Sequence, residues 1–179
     1  MQFYKIKSYA KINISLGILS KLKSKIHKIE SLFSFIDLHD EIFIKKINSK
    51  NHKIIFYGKF SKGIFKNNTI STLLKLLDKK LYGQKYLIKI NKKIPFKSGM
   101  GGGSMNASSL LKFLVKNQKL NLSLNEITKI SSKIGSDVVF GLQNKTSILY
   151  GNGKIKYLNN KINLYALLIK PDFGCSTKV

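Results

Sequence analysis

Residues 96–111 read "FKSGMGGGSMNASSLL", and four of the five positions from 99 to 103 are glycine. Such a run cannot continue a strand or a helix without cost, so it marks a loop with an unusual backbone path. Directly after it, Ala107, Leu110, Leu111, Leu114 and Val115 recur at i, i+3, i+4, i+7 and i+8, which predicts an amphipathic helix with Ser104 placed to cap it. Glycines let backbone N–H groups converge on a ligand, and a helix N-terminus adds unpaired donors and the positive end of a dipole. The loop therefore suits an anion, phosphate above all, with a plain turn as the alternative. Two well-known phosphate loops do not fit. No glycine five residues after another precedes Lys-Ser or Lys-Thr, and Ser104 stands where a dinucleotide fingerprint needs its third glycine.

Elsewhere the pattern mixes strands and helices, an α+β order. Residues 11–18 alternate strictly, with Ile12, Ile14, Leu16 and Ile18 opposite Lys11, Asn13, Ser15 and Gly17, which predicts a half-buried strand resting on its isoleucine face. Strand-like stretches follow at about 31–37, 41–47 and 53–57. A helical stripe covers 69–82 and ends at Gly83. Residues 85–91 form another strand leading into the loop. After it, "SLNE" at 123–126 is a capping box for a helix ending at Gly135, and strands are expected at 146–150, 154–158 and 163–169.

The 179 residues suit one domain, 1–179, with its last residues the start of another. The net charge of +25 comes from lysine alone, spread along the chain. Nucleic-acid grips favour arginine for its bidentate contacts, so the surplus reads as drift in composition, and nucleic acid is not the expected partner. A lone cysteine, Cys175, and no apolar run near the roughly 18 residues of a spanning helix point to a cytoplasmic protein away from membranes. Oligomeric state is not legible.

"IPFKSGMGGGSMNA" resembles the Pro-x-x-x-Gly-Leu-Gly-Gly-Gly-Ser-Ser-Asn-Ala phosphate loop of the GHMP kinases. "YAKINISLGI", "IHKIESLFSFIDLHDEI" and "IGSDVVFGL" match further family segments in order and spacing, so the likeness runs along nearly the whole chain. It implies the N-terminal GHMP kinase domain, an α+β fold similar to the second domain of ribosomal protein S5, without the C-terminal domain. It also implies ATP-dependent phosphorylation of the 2-hydroxyl of 4-diphosphocytidyl-2-C-methyl-D-erythritol in the non-mevalonate isoprenoid route.

The resemblance assigns residues to that reaction. Asp137 is placed beside the acceptor hydroxyl, and Lys11 beside Asp137, where a cation favours the carboxylate's charged form and stabilises a phosphoryl group. Their plain alternatives are a turn cap for Asp137 and a solvated face for Lys11. Pro95, Lys97, Gly99, Gly101, Gly102, Gly103, Ser104 and Asn106 fall to the nucleotide, as does Asn68, which equally suits a helix cap. Asn13, His27, Phe33 and Thr177 fall to the small-molecule substrate. Where the family places a tyrosine before the histidine, this chain has Ile26, losing an aromatic face against the base. Lys97 and Ser98 replace a pair of glycines. Mg²⁺ is expected with ATP, held by phosphates, water and Ser104. Two readings stay open beside this one: an RNA-binding domain of the same fold, and a decayed kinase fragment.

Overall fold

The computed structural model describes residues 2–21, 27–118, 120–159 and 165–169. Two long strands dominate it, β1 (Tyr4–Lys21) and β2 (His27–Ile47), paired antiparallel along their length. The two stretches expected at 31–37 and 41–47 are one strand, because the polar residues between them lie opposite a register shift at Tyr9/Ala10 that the ladder absorbs. On the other edge of β2, its C-terminal half pairs with β4 (Lys85–Asn91) and residues 31–33 pair with β5 (Ser147–Leu149). β3 (Lys53–Tyr57) lies parallel to β4, joined to it through α1 (Thr69–Leu77) and a 3₁₀ turn at Asp78–Leu81. β6 (Ile155–Tyr157) closes the far edge against β5. Residues 165–169 carry no strand.

The helices are α1, α2 (Gly102–Asn117), α3 (Leu124–Ile134) and α4 (Ser136–Gly141). Alternation along β4 buries Tyr86, Ile88 and Ile90 on one face, and Ile42 and Ile44 of β2 join them. Against that face pack Leu73, Leu74 and Leu77 of α1 and Leu110, Leu111 and Leu114 of α2, the stripes that helical periodicity places on one side. α3 opens with the expected box: the Ser123 hydroxyl accepts from the Glu126 N–H, and Glu126 accepts from the Ser123 N–H.

One expectation is reversed. Lys11, on the supposedly wet face of β1, is buried, whereas Leu16 is 55% and Ile18 66% exposed. The alternation is real, but α2 begins beside Lys11, so the strand beyond it outruns the helix that would cover it.

Candidate functional site

β4 ends at Asn91 and the chain passes through 92–94 into the glycine loop. Gly99 (φ 73°) and Gly101 (φ 65°) are left-handed, the conformation that glycine alone adopts freely. Lys97 is also left-handed (φ 56°), where the resemblance has a glycine, and its ammonium lies 5.5 Å from the Phe96 ring centroid. Gly101 turns the chain into the helix: its carbonyl accepts from the Met105 N–H at 2.8 Å. Helix α2 thus starts two residues before Ser104, which sits inside the first turn instead of capping it. No side chain caps this end, so the N–H groups of Gly102, Gly103 and Ser104 have no intrahelical partner.

These residues border a cavity of about 360 Å³. Pro95, Lys97, Gly99, Gly101, Gly102, Gly103, Ser104, Asn106 and Asn68 all line it. The uncapped N–H groups of α2, which face an anion with unpaired donors, are the feature that fits a bound phosphate. A Cβ on Gly102 would stand 3.1 Å from Ile94 Cγ2 and 3.3 Å from Lys92 Nζ, a tight contact that these side chains would have to yield to. The Asn106 side chain is buried with its Oδ1 unpartnered, an acceptor that a hydroxyl, a water or a cation satisfies and a phosphate oxygen does not. Asn68 is fully engaged as the cap of α1: its Oδ1 accepts from the Ile70 and Ser71 N–H groups, and its Nδ2 donates to the Phe65 and Lys66 carbonyls.

A second cluster lies next to the loop. Lys11 donates its backbone N–H to the Met100 carbonyl at 3.1 Å, and its ammonium reaches Asp137 Oδ2 at 3.6 Å and Asn13 Oδ1 at 3.3 Å. The Lys11 side chain is 7% exposed and that of Asp137 33%, so the cation sits beneath a carboxylate that is open to the outside. Phe33 and Phe140 lie 5.5 and 5.8 Å below the ammonium, which their ring faces attract. Phe33 itself is 1% exposed and packs on Phe140 with centroids 4.6 Å apart. Its ring supports Lys11 and shows no open face. Asp137 makes no capping bond, which removes its plain reading as a turn cap.

Sequence reasoning missed what holds Asp137 in place. It rides on α4, a helix too short to show a period, and a Cβ on Gly141 would stand 2.8 Å from Ser108 Cβ, so glycine permits α4 to press on α2. Also unseen was a buried ion pair between Asp40 and Lys92. Beside it, Glu41 accepts from Lys5 and Lys93, whose hydrogen bonds, Lys5 first, pull its carboxyl down to about 2. Of the proposed substrate residues, His27 opens β2 opposite Lys21, its side chain lying outside the described part, and Thr177 lies outside the described residues, as does Ile26. Among the described residues no cluster of His, Cys, Asp or Glu could hold a metal, and no helix is long and apolar enough to cross a membrane.

Residues 68–152 match the profile of the GHMP kinases N terminal domain. The chain is 56% identical to 4-diphosphocytidyl-2-C-methyl-D-erythritol kinase of Pelagibacter ubique over 99% of its own length and 64% of that protein's. It is 34% identical to the enzyme of the same name from Thermoanaerobacter pseudethanolicus, covering 99% of this chain and 61% of the relative. It therefore spans under two thirds of the relatives it matches. A crystal structure of 4-(cytidine 5'-diphospho)-2C-methyl-D-erythritol kinase superposes with a TM-score of 0.70 at 22% identity, over 87% of this chain and 55% of that one. Mevalonate kinase of L. major, complexed with R-mevalonate, gives 0.62 at 15% identity, over 87% of this chain and 51% of that one. Profile, relatives and fold agree: the chain carries the N-terminal domain of the GHMP kinases.

Proposed function

We propose that this chain supplies the nucleotide loop and the proton-accepting pair of an ATP-dependent kinase acting on the 2-hydroxyl of 4-diphosphocytidyl-2-C-methyl-D-erythritol. The observation that carries the reading is the adjacency of the two clusters: a Cβ on Gly101 would stand 3.6 Å from Asp137 Oδ2 and 3.8 Å from Lys11 Cε. Phosphoryl transfer asks chiefly for alignment and neutralised oxygens. The free N–H groups of α2 hold the phosphates of ATP. Asp137, outermost, accepts the proton of the acceptor hydroxyl as its oxygen attacks the γ-phosphorus and ADP leaves. Lys11, beneath it, pairs with the carboxylate at 3.6 Å and faces the transferred group, whose negative charge it offsets. Asn13, anchored by the Lys11 ammonium and the Ser31 hydroxyl, borders the acceptor side, with His27 and Thr177 assigned to the cytidyl end and Phe33 as the floor under Lys11. Mg²⁺ would accompany ATP, with the Ser104 hydroxyl in the first turn of α2 the residue that would help hold it, and the ion would supply neutralisation of phosphate charge. The lone thiol, Cys175, fits a cytoplasmic setting. The all-lysine charge gives no arginine grip that would favour the RNA-binding alternative.

Calorimetric titration with a non-hydrolysable ATP analogue tests the loop. Saturable binding is expected, and Gly102→Val, whose side chain would meet Ile94 and Lys92, is expected to abolish it. Unchanged affinity in that variant makes the loop a structural turn. ADP release on adding the cytidyl substrate, with mevalonate and homoserine as controls, tests the acceptor; release with a control and none with the cytidyl compound overturns the choice.

A further inference from the structure

Asp40 is completely buried, and its partner Lys92 is 5% exposed. Removing two charges from water costs several kcal/mol per ion, so such a pair persists only where good geometry offsets the loss. The geometry here is specific. One carboxylate oxygen, Oδ1, accepts from the backbone N–H groups of Lys93 at 2.8 Å and Ile94 at 2.9 Å, while Oδ2 receives the Lys92 ammonium. Asp40 thus holds three consecutive residues at the point where β4 becomes the glycine loop. Lys92 is gripped along its main chain as well: its N–H donates to the Tyr57 carbonyl at 2.7 Å, and its carbonyl accepts from Phe60. Its ammonium ends 3.3 Å from where a Gly102 Cβ would stand, against the first turn of α2. On the opposite face, Glu41 takes the Lys93 ammonium at 3.1 Å, so neighbouring carboxylates of β2 fasten neighbouring lysines.

We propose that Asp40 and Lys92 are a positioning pair for the glycine loop. Asp40 sets the direction in which the chain leaves β4, and Lys92 carries that placement to the start of α2. Together they fix where the unpaired N–H groups of Gly102, Gly103 and Ser104 point. The pair is internally neutral, so its effect on a bound anion is through geometry and not through net attraction. The inference rests on the nucleotide reading of the cavity for its functional value, and on the loop contacts alone for its structural value.

The test uses Lys92→Met, which keeps length and packing, and the double variant Lys92→Met with Asp40→Asn, which removes the charge the first leaves unpaired while preserving the acceptor for two N–H groups. The single variant is expected to lower the melting temperature by roughly 10 °C, and the double to recover most of it. In the double variant, the amides of Lys11 and Met105, which donate to the loop carbonyls of Met100 and Gly101, are expected to exchange at least about tenfold faster, with those of Leu110–Leu114 unchanged. ADP affinity measured by calorimetry is expected to stay about tenfold below the parent. If the double variant regains parental melting, amide protection and ADP affinity together, the pair serves packing only. If the unaltered chain binds no ADP, the nucleotide reading fails, and the Lys11 and Met105 amides still decide the role of the pair.

Discussion

Between residues 4 and 11, β1 lies under α2: the Tyr4 ring packs at 5.3 Å on Phe113, Ser8 and Ala10 are fully buried, and Lys11 meets the start of the helix. Between residues 12 and 19, the same strand continues its ladder with β2 and remains largely open, with Ile14, Leu16, Ile18 and Leu19 all exposed. The apolar alternation is stronger in the outer half than in the inner one. Period two states which residues share a face; it does not state which face another layer covers. That decision belongs to the length of α2 and to where Gly101 lets it begin. The half with the better strand signal is the one outside the core, and the half with a lysine in its interior carries the proposed chemistry.

The most damaging way to probe the inner half is at its charge pair. Asp137→Asn keeps size and removes the proposed base, so under the proposed function turnover of the cytidyl substrate should drop by roughly 10²- to 10⁴-fold while affinity for an ATP analogue barely moves. Equal losses in both quantities would assign Asp137 a structural role.

Stability separates the two halves more directly. Phe33 is wedged between Lys11 and Phe140, and Phe33→Ala should cost about 3–5 kcal/mol in denaturant unfolding. Leu16→Ala and Ile18→Ala, in the outer half, should each stay within about 0.5 kcal/mol. Comparable losses at Leu16 and Phe33 would mean that the outer half is covered in solution.

The smallest expected effect concerns acid. Glu41 joins β2 to Lys5 in the inner half of β1, with Lys5 Nζ at 2.6 Å, and its carboxyl lies near 2 against an ordinary 4.5. A depressed carboxylate contributes stability that is complete above the unfolded value. That contribution fades as pH falls from about 4.5 through about 2. Glu41→Gln should flatten this part of the stability curve, and an unchanged slope between the two proteins would locate the acid sensitivity elsewhere.

Local signals carried much of this fold. β3 and β4 fall at the residues where β-branched and aromatic runs place them, the Ser123 box opens α3 where it stands in the sequence, and the glycine run precedes its helix. What escaped was set by contact between distant parts. Helix α4 has six residues, too few for a helical stripe, and it is held by Gly141 against Ser108. Asp40 and Lys92 stand 52 positions apart, and nothing near either residue signals that both are buried. The residues that line the loop cavity were legible because one loop contains almost all of them, whereas the covering of Lys11 depended on three separate elements.

Lys11 faces two ways at once. Its main chain is tied to the loop through Met100, and its side chain is tied to the helix bearing Asp137. Loop and carboxylate thus share one residue, through which a ligand at either place can bear on the other. Coupling of this kind is symmetric in free energy: whatever factor one compound imposes on the affinity of the other, it receives in return. Binding order in such a site is then a matter of rates, while the mutual effect of the two compounds is one number, measurable from either side.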